Sequence, residues 1–179
     1  RENVVSLARN IGYLPRSRKS ASATVSFFID CSNISPTPSN ITLKKGPVAS
    51  TSGTFGNQSF VFSIISDITV PVSDGIASFD EIAIYQGSLL TSNFTYSSRT
   101  PNAKFILPNA GIDTALLNVV VKGTQQSTTQ TAYTVQDSLF NITKESKVYY
   151  LQEIEDERYQ LIFGDGIFGK ALEEGNYII

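Results

Sequence analysis

The sequence predicts a mainly β protein: an N-terminal helix followed by antiparallel, β-sandwich-like sheets, divided into two small β subdomains. Three observations carry this expectation. Apolar residues alternate with a period of two through much of the chain, Gly, Pro, Asn and Asp recur at short intervals between those segments, and no strand–helix–strand rhythm interrupts them. With 41% hydrophobic residues, 11 Phe and 8 Tyr among 179, the chain has enough apolar material for one or two packed cores.

Val4, Leu7, Ala8 and Ile11 recur at helical spacing, and Gly12 is placed to end the helix in a left-handed conformation, so residues 2–11 are predicted to be helical. Pro15, with Arg16, Arg18 and Lys19 around it, makes residues 14–22 an extended connector; helix and connector form the segment 1–22. From there Ala23, Val25, Phe27, Ile29 and Cys31 alternate with Thr24, Ser26, Phe28 and Asp30, the pattern of a strand with one buried face.

Further strands are expected at 40–44, 59–65, 67–72, 77–85, 93–97, 104–107, 117–122, 131–134, 147–153, 159–163 and 177–179. Gly46-Pro47, Gly53 and Asp74-Gly75 read as turns between them, the last as a tight hairpin. Residues 123–131, rich in Thr, Gln and Ser, are expected to be either the boundary between a β domain at 23–123 and a second one, or a continuation, at 124–179, or else a long exposed loop.

Composition narrows function. The chain has no His, which removes the commonest general base, zinc ligand and partner of a Ser or Cys nucleophile, so an enzyme is not expected. A net charge of -2 offers no positive field for nucleic acid, and the basic run Arg16, Arg18, Lys19 is too short to change that. The lone Cys31 cannot build a disulfide framework and reads as a small core residue, consistent with a reducing compartment. Apolar runs such as 60–65 and 116–121 fall far below the roughly 20 residues of a membrane span, so no membrane partner is expected. The absence of Met and the start at Arg1 suggest a segment of a longer polypeptide. The sequons at Asn33, Asn40, Asn57, Asn93 and Asn141 follow from the abundance of Ser and Thr.

Residues near the end carry the most information. In Phe163-Gly164-Asp165-Gly166, followed by Gly169, the Asp-Gly pair suits a tight hairpin, while Gly164 and Gly169 allow backbones to approach closely. Leu161, Phe163 and Ile167 are expected to cover one side of the core. An isolated Asp-x-x-x-Gly lacks the ligand series of a calcium loop, so neither metal nor cofactor is expected. Glu153, Glu155, Asp156 and Glu157 lie between two apolar strands, where a solvated hairpin turn belongs, and read as that rather than as a catalytic carboxylate pair. Phe28 sits on the opposite face of its strand from Phe27; packing within the chain is the default expectation for such rings, and the alternative makes Phe28, Tyr13 and Tyr96 interface anchors.

The Phe-Gly-Asp-Gly-x-x-Gly run at 163–169 resembles a turn of the baseplate J-like proteins of contractile phage tails, and 149–179 is similar to the corresponding stretch of the T4-like baseplate wedge subunits of the gene-product-six family. Arg1-Glu2 leading to Leu7-Ala8-Arg9 and Ile11-Gly12-Tyr13 resembles the helix before that family's β domain, and Lys104 to Asn109 followed by 116–121 its mid-domain strand pair. The resemblance implies a structural virion component made in the bacterial cytoplasm. Such a component holds wedge proteins and further copies of itself in a ring of sixfold symmetry around the tail hub, and transmits the change that triggers sheath contraction. It carries no catalytic residue. A closed ring needs two contact surfaces per subunit, and one expected contact sets Glu155 and Asp156 against Arg16, Arg18 and Lys19 of a neighbouring copy. The alternative is a carbohydrate- or receptor-binding tail adhesin, which binding to a defined glycan would reveal.

Overall fold

A computed structural model of the protein describes residues 17–51, 59–100 and 103–179; the helix expected over 2–11, and Tyr13 and Arg16 after it, lie outside the described residues. The chain forms two compact units with separate cores, one over Ser20–Leu90 and one over Thr91–Ile179 joined by residues 17–19. The division falls between Leu90 and Thr91 rather than at 123/124. Residues 123–129 are a polar hairpin loop inside the second unit, because the strands on either side pair with each other.

Among its described residues the first unit has six strands, β1 (Ser22–Asp30), β2 (Asn40–Leu43), β3 (Gly46–Ser50), β4 (Val61–Ile64), β5 (Ile68–Ser73) and β6 (Ile76–Gln86), all paired antiparallel. The long β6 is its spine. β1 runs along one edge of it from Ser22↔Tyr85 to Asp30↔Ile76, while the opposite edge takes β5 near its start and β4 near its end. β5 and β6 are joined by Asp74 (φ 52°) and Gly75 (φ 78°), the two positive-φ residues that a two-residue hairpin of this twist requires. β3 occupies the Gly46-Pro47 position expected to be only a turn; it is an edge strand with a register shift after Pro47, a place where a missing N–H is tolerated.

The buried set in β6 changes phase midway. Ala77 and Phe79 face inward, then Ile82 and Ile84, with Asp80 and Glu81 both exposed between them. The cause is a bulge: Val25 pairs with Ile82 and Phe27 with Phe79, so two residues of β6 stand opposite Ser26. Glu81 takes φ 54°, and its backbone N–H donates to Ser26 Oγ at 2.9 Å. Ile64, Ala77, Phe79, Ile82 and Ile84 form the core, packed by Val25, Ile41, Val70 and neighbours. Cys31 is fully buried, as its place in the alternation predicts.

Among its described residues the second unit has seven strands, β7 (Phe94–Thr95), β8 (Phe105–Ile106), β9 (Val119–Lys122), β10 (Gln130–Gln136), β11 (Val148–Glu153), β12 (Tyr159–Phe163) and β13 (Tyr177–Ile178), in the order β7-β13-β9-β10-β11-β12-β8. One pairing departs from the antiparallel expectation: β10 and β11 run parallel, Thr134↔Val148 to Gln136↔Tyr150, because residues 137–147 carry the chain back before β11 begins. The core is aromatic. Phe163 stands between Phe105 and Tyr133, each ring centre 5.6 Å away and set edge-on, with Tyr149 at 6.4 Å. Burial pushes the Tyr133 and Tyr149 phenols above their ordinary pKa. Among the described residues no helix is long and apolar enough to cross a membrane.

Candidate functional site

The carboxy-terminal block expected to matter most is β11, an acidic turn, β12, a glycine loop and β13. β11 and β12 form a hairpin in register from Tyr149↔Phe163 to Glu153↔Tyr159, so the inward residues Tyr149, Leu161 and Phe163 meet in the core. The turn at Glu155–Glu157 is closed by the Ile154 N–H donating to the Arg158 carbonyl at 2.8 Å, with Asp156 and Glu157 at positive φ. It is a hairpin turn, as the flanking apolar strands predict.

The glycine loop after Phe163 is held from three sides. The Asp165 carboxylate accepts the backbone N–H groups of Ile167 and Phe168, each at 2.9 Å. These two donors, Phe168 first, hold its pKa below the ordinary carboxylate value. The Gly166 N–H donates to the Gly169 carbonyl at 3.0 Å, which closes the loop on itself. Gly169 and Lys170 then donate to the carbonyls of Thr143 and Ser146 at 3.1 and 2.8 Å, which ties the loop to the β10–β11 crossover.

Gly164 and Gly169 touch directly. A Cβ on Gly164 would stand 2.6 Å from the Gly169 Cα and closer still to its carbonyl group, and one on Gly169 would stand 2.9 Å from a Val148 methyl. The close approach expected of these two glycines is therefore present. The Asp-Gly pair differs from expectation: only Gly166 has positive φ, and Asp165 serves through its side chain, so this is a carboxylate-capped loop rather than a two-residue hairpin. Ile167 differs too. It is 68% exposed instead of lining the core, because the loop lifts it away from the sheet after Phe163 has turned in.

Of the expected interface residues, Arg18 and the acidic turn meet within one chain: Arg18 Nε lies 3.3 Å from Glu157 Oε2. Ser17 Oγ beside it accepts from the Thr114 hydroxyl at 2.8 Å, so the connector is fastened to the second unit. Lys19 and Glu155 are exposed, and Asp156 lies 3.3 Å from Arg158 Nη2. Arg16 lies outside the described residues. Phe28 is 68% exposed on the outer face of β1, where the strand alternation places it, while Tyr96 packs against the aromatic core.

The sequence reading missed further exposed apolar residues, Val135, Leu139, Phe140 and Phe168; at 87%, Phe140 is the most exposed large hydrophobic side chain among the described residues. They lie at the end of β10, in the crossover and in the glycine loop. The available signal was an apolar Leu139-Phe140 pair, with Ile142 beside it, in a largely polar segment without strand alternation. A further carboxylate, Glu174, accepts from Ser98 through both side chain and backbone and from Ser97 Oγ at 3.0 Å, which holds its pKa low and joins the segment after β7 to the one before β13. Among the described residues no group of three or more Cys, Asp or Glu is gathered as a metal site. Compared with protein-family models and with curated proteins, the chain matches none.

Proposed function

We propose that the protein is a structural component of a contractile phage tail baseplate, in which it holds wedge proteins and copies of itself around the hub. The reading rests on the resemblance at 149–179. The observation that carries it further is the distribution of exposed large apolar side chains, Phe28 in the first unit and Phe140, Ile167 and Phe168 in the second. Large apolar side chains left this exposed suit surfaces that become covered on assembly. Exposed large apolar side chains occur in both units, which is compatible with a ring in which each subunit touches neighbours through more than one patch.

Sedimentation of the purified chain, with the other wedge proteins of a contractile tail added in turn, tests the proposal. Stable complexes with one or more of them are expected, and Phe140→Ser with Ile167→Ser should weaken at least one. A chain that ignores every wedge protein but binds a defined sugar on a glycan array would replace the scaffold with an adhesin.

A further inference from the structure

Strand β1 is nine residues long and, among the described residues, pairs with β6 alone, so its other edge is open. Edges of this length are normally blunted by Pro, by Lys, by a kink in the strand itself or by brevity. The other edges of the two sheets follow that rule: β7 and β8 have two residues each, β2 has four, and β3 carries Pro47. β1 has no such protection. Residues 20–29 contain neither charge nor Pro, and the only bulge at this pair belongs to β6.

The hydrogen bonds at its two ends identify which backbone groups face outward. The Gln86 N–H donates to the Ala21 carbonyl at 2.8 Å and the Cys31 N–H to the Gly75 carbonyl at 2.7 Å, so odd-numbered residues turn their backbone groups toward β6. Ser22, Thr24, Ser26, Phe28 and Asp30 therefore turn theirs to the open edge. Ser26 agrees, since it meets Glu81 through its side-chain oxygen rather than its carbonyl.

We infer that β1 pairs with β1 of a second copy of this chain, antiparallel about a twofold axis at Ser26. This register sets residue 22 opposite 30′ and 24 opposite 28′, matches all nine residues, and lets each of the five outward residues exchange hydrogen bonds with its mate. It also covers what β1 leaves bare. On the core side, Phe27, 37% exposed although stacked on Phe79, falls opposite Val25′, and Ile29, 36% exposed, falls opposite Ala23′. On the outer side Phe28 falls opposite Thr24′. Aromatic and β-branched residues directly opposite one another are the favourable cross-strand pairs. The one charge in the strand, Asp30, meets Ser22′ instead of another carboxylate, so nothing in this register repels. A one-residue shift of the axis leaves part of each strand unmatched. The inference stands on the edge itself and does not require the baseplate reading.

The test is sedimentation equilibrium of the whole chain and two variants up to several hundred micromolar. Thr24→Pro removes an outward N–H without touching a bond to β6, and Phe28→Lys puts a charge on an exposed position; circular dichroism confirms that each is folded. The wild type is expected to rise from 19.5 kDa toward twice that mass, and Thr24→Pro to stay at the monomer mass. Phe28→Lys is expected to weaken dimerisation at least tenfold. A wild type that stays monomeric throughout overturns the inference, as does self-association that Thr24→Pro leaves intact, even if Phe28→Lys abolishes it. Should Thr24→Pro fail to fold, association of folded Phe28→Lys as tight as the wild type's would overturn it as well.

Discussion

An alanine at position 164 would press its Cβ against the Gly169 backbone, which has no flexible end to swing aside. Gly164→Ala is expected to destabilise the second unit by about 2 kcal/mol or more, read from urea unfolding. Gly123→Ala, where a Cβ would meet nothing within 4 Å and φ is not left-handed, should be neutral or mildly stabilising, by up to about 1 kcal/mol. Two residues of one type thus separate into a packing requirement and a spare position. Asp165 adds a pH dependence with a definite sign. Its folded pKa lies below the ordinary 3.8 because the N–H groups of Phe168 and Ile167 favour the carboxylate. The stabilisation it supplies is complete above that ordinary value and disappears as pH falls through the lower folded one. Asp165→Ala should therefore cost stability at neutral pH, and its gap from the wild type should close as the solution is acidified below about 4. A gap that stayed constant down to pH 2 would assign the loss to something other than the carboxylate. The two glycines were legible in the sequence because contact between backbones leaves only one residue type. The exposed fate of Ile167 was not, since the lift of the loop depends on Thr143 and Ser146, far from it along the chain.

At the scale of elements, the bulge in β6 makes an unusual forecast about deletions. Removing Glu81 leaves Phe79, Asp80, Ile82 and Ile84 in plain alternation, so every inward residue keeps its face and the strand becomes regular against β1. Removing Ala83 instead turns Ile84 outward. The deletion of Glu81 is expected to retain a cooperative thermal transition, and the deletion of Ala83 to lose it or shift it down by 10 °C or more. Most strands could be placed from the sequence because alternation and Asp74-Gly75 turn chemistry are local signals. β3 was hidden because Gly46-Pro47 looks like punctuation wherever the chain runs, and only its edge position makes a strand acceptable there. The parallel contact of β10 with β11 was hidden for another reason. Strand direction is fixed by the path of the crossover, and nothing in the alternation of Tyr133, Val135, Tyr149 and Leu151 records it.

For the whole molecule, two cores that share no residue imply that damage can be confined. Phe163→Ala removes the ring between Phe105, Tyr133 and Tyr149 and should cost about 3 to 5 kcal/mol. Hydrogen exchange is expected to lose protection in β8–β12 while β1–β6 keep theirs; loss spreading evenly through all strands would show that the units unfold as one. The boundary at Leu90/Thr91 escaped the sequence reading because the loop at 123–129 is more polar than the true junction, and polarity marks exposure rather than separation. That junction also makes the first unit an insertion, since residues 17–19 before it and Thr91–Ile179 after it belong together. The insertion has its own ends clasped, Ala21 to Gln86 at 2.8 Å. Once it has folded, the stretch that parts Ser17 and Arg18 from a folded remainder of their own unit, beginning at Thr91 and holding Thr114 and Glu157, shrinks from about seventy residues to a handful, an entropic saving on the order of 2 kcal/mol. At equilibrium the help is mutual: a folded inner unit brings the two pieces of the outer one together, and a folded outer unit holds the ends of the inner one close by the same amount.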